Sequence, residues 1–92
     1  MAERTVSVGW PEGLHARPAA VFVRAAGAVG APVTIAKPGG TPVTAASMLA
    51  LLGLGAEAGD TVVLASDAEG ADPALDRLAK LVGEGLNELP PA

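Results

Sequence analysis

The 92-residue sequence contains no cysteine, which excludes disulfide bonds and thiolate metal sites. No uninterrupted apolar run is long enough to span a membrane, and residues 1–5 lack the apolar core of a signal peptide. The sequence has only six Lys and Arg residues but ten Asp and Glu residues. The resulting net charge of −4 argues against a nucleic-acid partner. We therefore expect one cytoplasmic domain over residues 1–92, without membrane insertion.

Histidine is also scarce, and the only one, His15, lies in the segment GLHARPAA at residues 13–20. It directly precedes an alanine-rich run that favours a helix. The first backbone N–H groups of a helix, here those of Ala16 and Arg17, have no partner within the helix and attract anions. The Arg17 guanidinium adds a fork of donors for phosphate oxygens, and a neutral imidazole is a nucleophile. These residues together predict a phosphoryl site.

The charges are distributed unevenly along the chain. Up to Lys37 there are four basic and two acidic residues, whereas beyond it there are two basic and eight acidic ones. A basic patch around His15 would suit an anionic group and an acidic partner. Ordinary scatter of surface charge explains the same counts equally well.

The hydrophobic pattern predicts seven elements in the order β-α-β-β-α-β-α, which is typical of an α+β domain with two layers. Gly27 is expected to end the first helix, and Asp72 to cap the last one ahead of Pro73. Pro42 places the third strand at an edge of the sheet, whereas the apolar fourth strand suits a central position. The predicted strands are residues 4–9, 33–37, 41–44 and 61–66, and the predicted helices are residues 16–26, 47–54 and 72–86.

The GLHARPAA segment and the element order resemble those of HPr, the histidine-containing phosphocarrier family of the phosphoenolpyruvate:sugar phosphotransferase system. The resemblance implies an open-faced β-sandwich, in which three helices cover one face of a four-stranded antiparallel sheet with strand order 1-4-2-3. It implies that phosphohistidine enzyme I, charged by phosphoenolpyruvate, phosphorylates Nδ1 of His15. The phosphoryl group then passes to a sugar-specific enzyme IIA domain.

The same resemblance assigns roles around the histidine. Arg17 would hold the phosphoryl oxygens and contact acidic residues of the partner, beside the backbone donors of Ala16 and Arg17. The protein would be a monomeric carrier rather than an enzyme, with no cofactor and no metal. Glu12 departs from the small or neutral residue that is usual three positions before the histidine, and its carboxylate would either repel the phosphoryl group or point to solvent.

Ser47 has two interpretations. It is a suitable N-cap for the second helix, and it also matches the serine that HPr kinase/phosphorylase modifies in many family members. Two departures weaken the second interpretation: Ala45 and Ala46 precede the serine where a lysine is frequent, and the chain has one extra residue between His15 and Ser47.

The second helix is apolar on all sides, so part of it must be buried or must face a partner. We expect Leu51 in the core. By resemblance to the family, we expect a docking patch for enzyme I and IIA formed by Ala20, Met48, Leu49 and Leu52. Ala50 replaces a position that is frequently charged in the family.

An alternative function of a different class is that of a regulatory HPr-like protein. Its output would be the binding of a transcription regulator, or a relay in a nitrogen branch of the system. Purely regulatory relatives typically lack the histidine, so the presence of His15 favours the carrier.

Overall fold

The computed structural model describes residues 2–90, so Met1, Pro91 and Ala92 of the predicted domain lie outside the described residues. The chain forms an antiparallel four-stranded sheet with the spatial order β1-β4-β2-β3. This confirms the predicted fold class and strand order. The strands are β1 (Ala2–Ser7), β2 (Thr34–Ala36), β3 (Val43–Thr44) and β4 (Thr61–Ser66), and the helices are α1 (Ala16–Ala28), α2 (Met48–Leu54) and α3 (Asp72–Glu84).

The central strand β4 carries the sheet part of the core. It pairs along its whole length with β1, and Leu64 also lies opposite Ile35 of β2. Val62 and Leu64 point to the helix side and are fully buried, as expected for an apolar central strand. The helices complete the core with fully buried side chains that include Phe22, Leu51, Leu75, Leu78, Leu81 and Val82.

The first strand begins and ends two residues earlier than predicted. Val8 and Gly9 have left the ladder, because their N–H groups donate to Asp60 O at 2.9 Å and Val82 O at 2.8 Å. The third strand is an edge strand, as Pro42 indicated, but it retains only Val43 and Thr44. Within residues 2–90, no helix is both long and apolar enough to cross a membrane.

The first helix passes through Gly27, so the prediction that this glycine ends the helix was wrong. The helix continues to Ala28, and its C-cap Val29 donates to Ala25 O at 3.2 Å. A single glycine costs a helix only about 1 kcal/mol. Burial of Phe22, Ala25 and Ala26 on the inner face outweighs that cost.

The prediction that Asp72 caps α3 was also wrong. Ala71 is the N-cap, and Asp72 is already the first helical residue. The Asp72 carboxylate instead accepts a hydrogen bond from the Arg4 guanidinium at 3.0 Å, and Asp76 accepts a second one at 2.6 Å. These two carboxylates raise the pKa of Arg4 and connect β1 to α3.

The third helix ends at Glu84 rather than at Leu86. Gly85 adopts a left-handed conformation with φ 62°, and Leu86 N–H returns to Leu81 O at 3.0 Å, which terminates the helix. The Leu86 carbonyl accepts a 3.0 Å hydrogen bond from Nε1 of Trp10, which is only 4 % exposed. This contact fixes the start of the loop that carries His15.

Candidate functional site

His15 is the last residue before α1 and is held by a buried neighbour. Its backbone is extended, with φ −131° and ψ 165°, and its side chain is 38 % exposed. Leu14 is fully buried, and its N–H donates to Ala56 O at 2.9 Å. The imidazole is therefore accessible on a backbone that is fixed from inside.

The helix begins irregularly at Ala16, which has a left-handed φ of 49° and is the only non-glycine residue with positive φ in the described chain. Such a conformation costs a residue with a Cβ about 1–2 kcal/mol. Pro18 disfavours helical geometry at the residue before it, which predicts an irregular turn at Arg17. The structure places it one residue earlier.

Unpaired backbone donors surround the start of α1. The first N–H to bond within the helix belongs to Ala19, which donates to His15 O at 3.4 Å, and Pro18 has no N–H. The N–H groups of Ala16 and Arg17 precede that bond and have no acceptor within α1. This end of the helix therefore offers two backbone donors beside the imidazole, at the positive end of the helix dipole.

Gly13 brings the His15 loop against the loop that precedes β4. Its φ is 73°, and a Cβ at this position would lie 2.8 Å from both Ala56 O and Glu57 Cα. No residue other than glycine fits there without displacing the neighbouring backbone. The close approach of the two loops depends on this residue.

The facing loop contributes a carboxylate that sequence reasoning missed. Glu57 Oε2 lies 3.1 Å from Nε2 of His15, in an interaction between side chains 42 positions apart. Glu57 N–H in turn donates to the Asp60 carboxylate at 2.8 Å. No local pattern could reveal Glu57, because only the packing of the two loops brings it to the ring.

The remaining predicted site residues of α1 lie on its outer surface. Arg17 and Ala20 are exposed, and Arg24 is exposed one further turn along the helix. Glu12 is exposed too, whereas the carboxylate at the imidazole is that of Glu57. The two guanidinium groups therefore flank Ala20 on the exposed side of the helix that His15 begins.

The second helix has the exposed apolar residues that its sequence indicated. Leu49 is 83 % exposed, Leu52 40 % and Met48 36 %, whereas Leu51 is fully buried, as predicted. The capping interpretation of Ser47 is confirmed, because its hydroxyl accepts a hydrogen bond from Ala50 N at 3.2 Å. Ser47 is half-buried, and Ala50 is half-buried one turn further on.

Metal-ligating side chains do not cluster in the part of the chain that the structure describes. No group of three or more His, Cys, Asp or Glu residues within residues 2–90 is arranged to hold a metal ion. The candidate site consequently consists of one imidazole, one carboxylate, backbone donors and a guanidinium.

Comparison with known proteins identifies the family. Residues 2–84 match the family model described as PTS HPr component phosphorylation site. The chain belongs to the HPr family. It is 74 % identical over 90 residues to the phosphocarrier protein HPr of Streptomyces coelicolor, with 98 % of this chain and 97 % of that protein covered.

Two further relatives bear on fold and function. The crystal structure of HPr-C-His from Thermoanaerobacter tengcongensis superposes with a TM-score of 0.83 at 31 % identity, covering 94 % of this chain and 98 % of that one. The HPr-like protein Crh of Bacillus subtilis is 37 % identical over 84 residues, which are 91 % of this chain and 98 % of Crh. The resemblance stated from GLHARPAA is confirmed, as is the HPr fold.

Proposed function

We propose that the protein is a phosphocarrier that accepts a phosphoryl group on Nδ1 of His15 from phosphorylated enzyme I and transfers it to a sugar-specific enzyme IIA domain. The observation that carries the proposal is the position of His15, half-exposed and directly before a helix whose first two N–H groups have no helical acceptor. The protein belongs to the HPr family, and the family model that it matches is described as a phosphorylation site, which supports the same function.

The transfer step is a displacement at phosphorus. The Nδ1 lone pair forms a new N–P bond while the P–N bond to the enzyme I histidine breaks, and that electron pair returns to the donor imidazole. Backbone N–H groups of Ala16 and Arg17, with the Arg17 guanidinium, would stabilise the negative phosphoryl oxygens. Transfer to IIA repeats the step in the opposite sense, so the carrier is regenerated and catalyses no net reaction alone.

The docking surface in this proposal combines Ala20 with Met48, Leu49 and Leu52. Exposed apolar side chains on so short a helix suit a partner surface rather than solvent. The exposed guanidinium groups of Arg17 and Arg24 favour acidic residues on the partner and would accelerate association at low salt. Enzyme I and IIA would use this same surface in turn, because His15 must face each of them.

Regulation is the second candidate function, and the sequence similarity to Crh of Bacillus subtilis, which is described as a catabolite repression protein, favours it. Ser47 would be the site of modification by an HPr kinase/phosphorylase. A phosphate at this N-cap suits the positive end of α2, yet it places negative charge beside the docking residues and would weaken binding to an acidic partner. A transcription regulator or a nitrogen-branch relay would be the corresponding partner.

We further propose that the carrier acts as a cytoplasmic monomer, that residues 1–92 fold as a single domain, and that it uses neither cofactor nor metal. The phosphoryl group is held covalently, so the transfer step needs neither. A monomer leaves the surface around His15 accessible to both partners.

The decisive test is intact-mass spectrometry after incubation with phosphoenolpyruvate and enzyme I, comparing the wild type with His15→Ala. We expect one acid-labile phosphoryl group on the wild type and none on the variant. Absence of label on folded wild type, while a control HPr in the same tube is labelled, would refute the carrier function and favour the regulatory one.

A further inference from the structure

We propose that Glu57 is a positioning residue for His15: its carboxylate accepts a hydrogen bond from Nε2–H, so that the nitrogen with the free lone pair is Nδ1. The observation is the 3.1 Å contact between Nε2 of His15 and Oε2 of Glu57. A neutral imidazole carries one proton, and an ionised carboxylate can only accept a hydrogen bond. The contact therefore favours the tautomer with the proton on Nε2.

The backbone that carries Glu57 is fixed on both sides. Its N–H donates to the Asp60 carboxylate at 2.8 Å, and its carbonyl accepts from Asp60 N at 3.0 Å. Gly59 N–H donates to Val8 O at 2.9 Å, which ties the same turn to the end of β1. These bonds involve backbone and Asp60 groups only, so replacing the Glu57 side chain leaves the turn intact.

The histidine side of the contact is equally constrained. Leu14 is anchored to Ala56, the residue before Glu57, and the absence of a side chain at Gly13 lets the two loops touch. The imidazole and the carboxylate thus extend from backbone segments that are hydrogen-bonded to each other. Two surface side chains that met only by chance would not extend from backbone segments that are hydrogen-bonded to each other.

The contact has a consequence for the transfer step of the proposed function, on which this part of the inference rests. When Nδ1 forms the N–P bond, the ring keeps its Nε2 proton and acquires positive charge. The Glu57 carboxylate stabilises that charge through the same hydrogen bond. We therefore expect Glu57 to shift the transfer equilibrium toward phosphorylated His15.

The exposure of both side chains limits the size of the effect. His15 is 38 % exposed and Glu57 66 %, so solvent screens the pair. Exposed charged pairs of this kind change an equilibrium by up to about fivefold. A repulsive role, in which the carboxylate opposes the incoming phosphoryl group, predicts the opposite direction for the transfer equilibrium.

Long-range ¹H–¹⁵N NMR of the unphosphorylated protein, at a pH where the imidazole is neutral, measures the tautomer directly. We expect Glu57→Ala to lower the ratio of the Nε2–H to the Nδ1–H tautomer by about three- to fivefold. Glu57→Gln, which retains an acceptor oxygen, should keep the ratio within about twofold of the wild type. The matched control Glu12→Gln removes one exposed carboxylate near His15 and should leave the ratio unchanged.

The equilibrium of phosphoryl transfer between enzyme I and His15 distinguishes the effect of the Glu57 charge from its effect on the His15 tautomer. Glu57→Gln should shift it about three- to fivefold toward phosphorylated enzyme I, because the cationic ring loses its counter-charge. An unchanged tautomer ratio in folded Glu57→Ala, or an equal change in Glu12→Gln, would overturn the positioning role. An increase in phosphorylated His15 in Glu57→Gln would overturn the stabilising effect of the carboxylate on the transfer equilibrium in favour of repulsion. The tautomer measurement needs no phosphoryl transfer, so it remains informative even if His15 proves not to be phosphorylated.

Discussion

Leu49 should contribute to partner binding and not to folding. Its side chain is 83 % exposed at the first turn of α2, whereas Leu51, two residues later, is fully buried. Replacing Leu49 with alanine removes three carbon atoms that a partner would bury. At about 0.8 kcal/mol for each buried carbon, and with 83 % of the side chain exposed before binding, complete burial would stabilise the complex by about 2 kcal/mol.

This energy converts into a kinetic expectation. A loss of about 1–2 kcal/mol corresponds to a rise in KM of about five- to thirtyfold for Leu49→Ala in phosphoryl transfer from enzyme I. Because the contact would be the same in the ground and transition states, kcat should remain unchanged. The assay is the initial rate of transfer as a function of carrier concentration.

Leu51→Ala is the matched control. It creates a cavity in the core and should lower the free energy of unfolding by about 2–5 kcal/mol, whereas Leu49→Ala should change it by less than about 0.5 kcal/mol. Urea denaturation measures both values. An unchanged KM for folded Leu49→Ala would refute the assignment of this side chain to the docking surface.

Three further predictions concern the backbone around the site and are checked by urea denaturation. Gly13→Ala should destabilise the fold by about 2 kcal/mol, because Gly13 has a positive φ and an added Cβ would clash with the facing loop. Its control Gly53→Ala lies in a helix with open space around it and should stabilise the fold by about 0.5–1 kcal/mol. Ala16→Gly should be stabilising by about 0.5 kcal/mol through relief of strain, while Ala20→Gly on the exposed side of the same helix should cost about 1 kcal/mol. Ser47→Ala should cost about 1 kcal/mol through loss of the N-cap, and an unchanged stability would contradict the hydrogen bond to α2.

The fold was predictable because local signals and burial agree along most of the chain. The apolar run of residues 61–66 forms the central strand, Pro42 marks the edge, and Ser47 caps its helix. The errors arose where a tertiary contact outweighed a local preference. Asp72 is a favourable N-cap type, yet its carboxylate contacts Arg4, 68 positions away in sequence.

The candidate site was predictable only in its contiguous part. His15, Ala16 and Arg17 follow one another in sequence, so their common position at the start of α1 follows from the helix prediction alone. Glu57 reaches the imidazole because Gly13 packs against the loop that precedes β4. The left-handed φ of Ala16 depends on how the loop that carries His15 enters α1. Neither feature has a sequence pattern of its own.

The most direct test of the central claim identifies the phosphorylated nitrogen. Protein labelled with ¹⁵N in histidine is phosphorylated by enzyme I and phosphoenolpyruvate, and its one imidazole is observed by NMR through ¹⁵N–³¹P coupling. We expect the coupling at Nδ1 of His15, with the proton retained on Nε2. Coupling at Nε2, or stable phosphate on another residue such as Ser47, would contradict transfer through Nδ1 of His15.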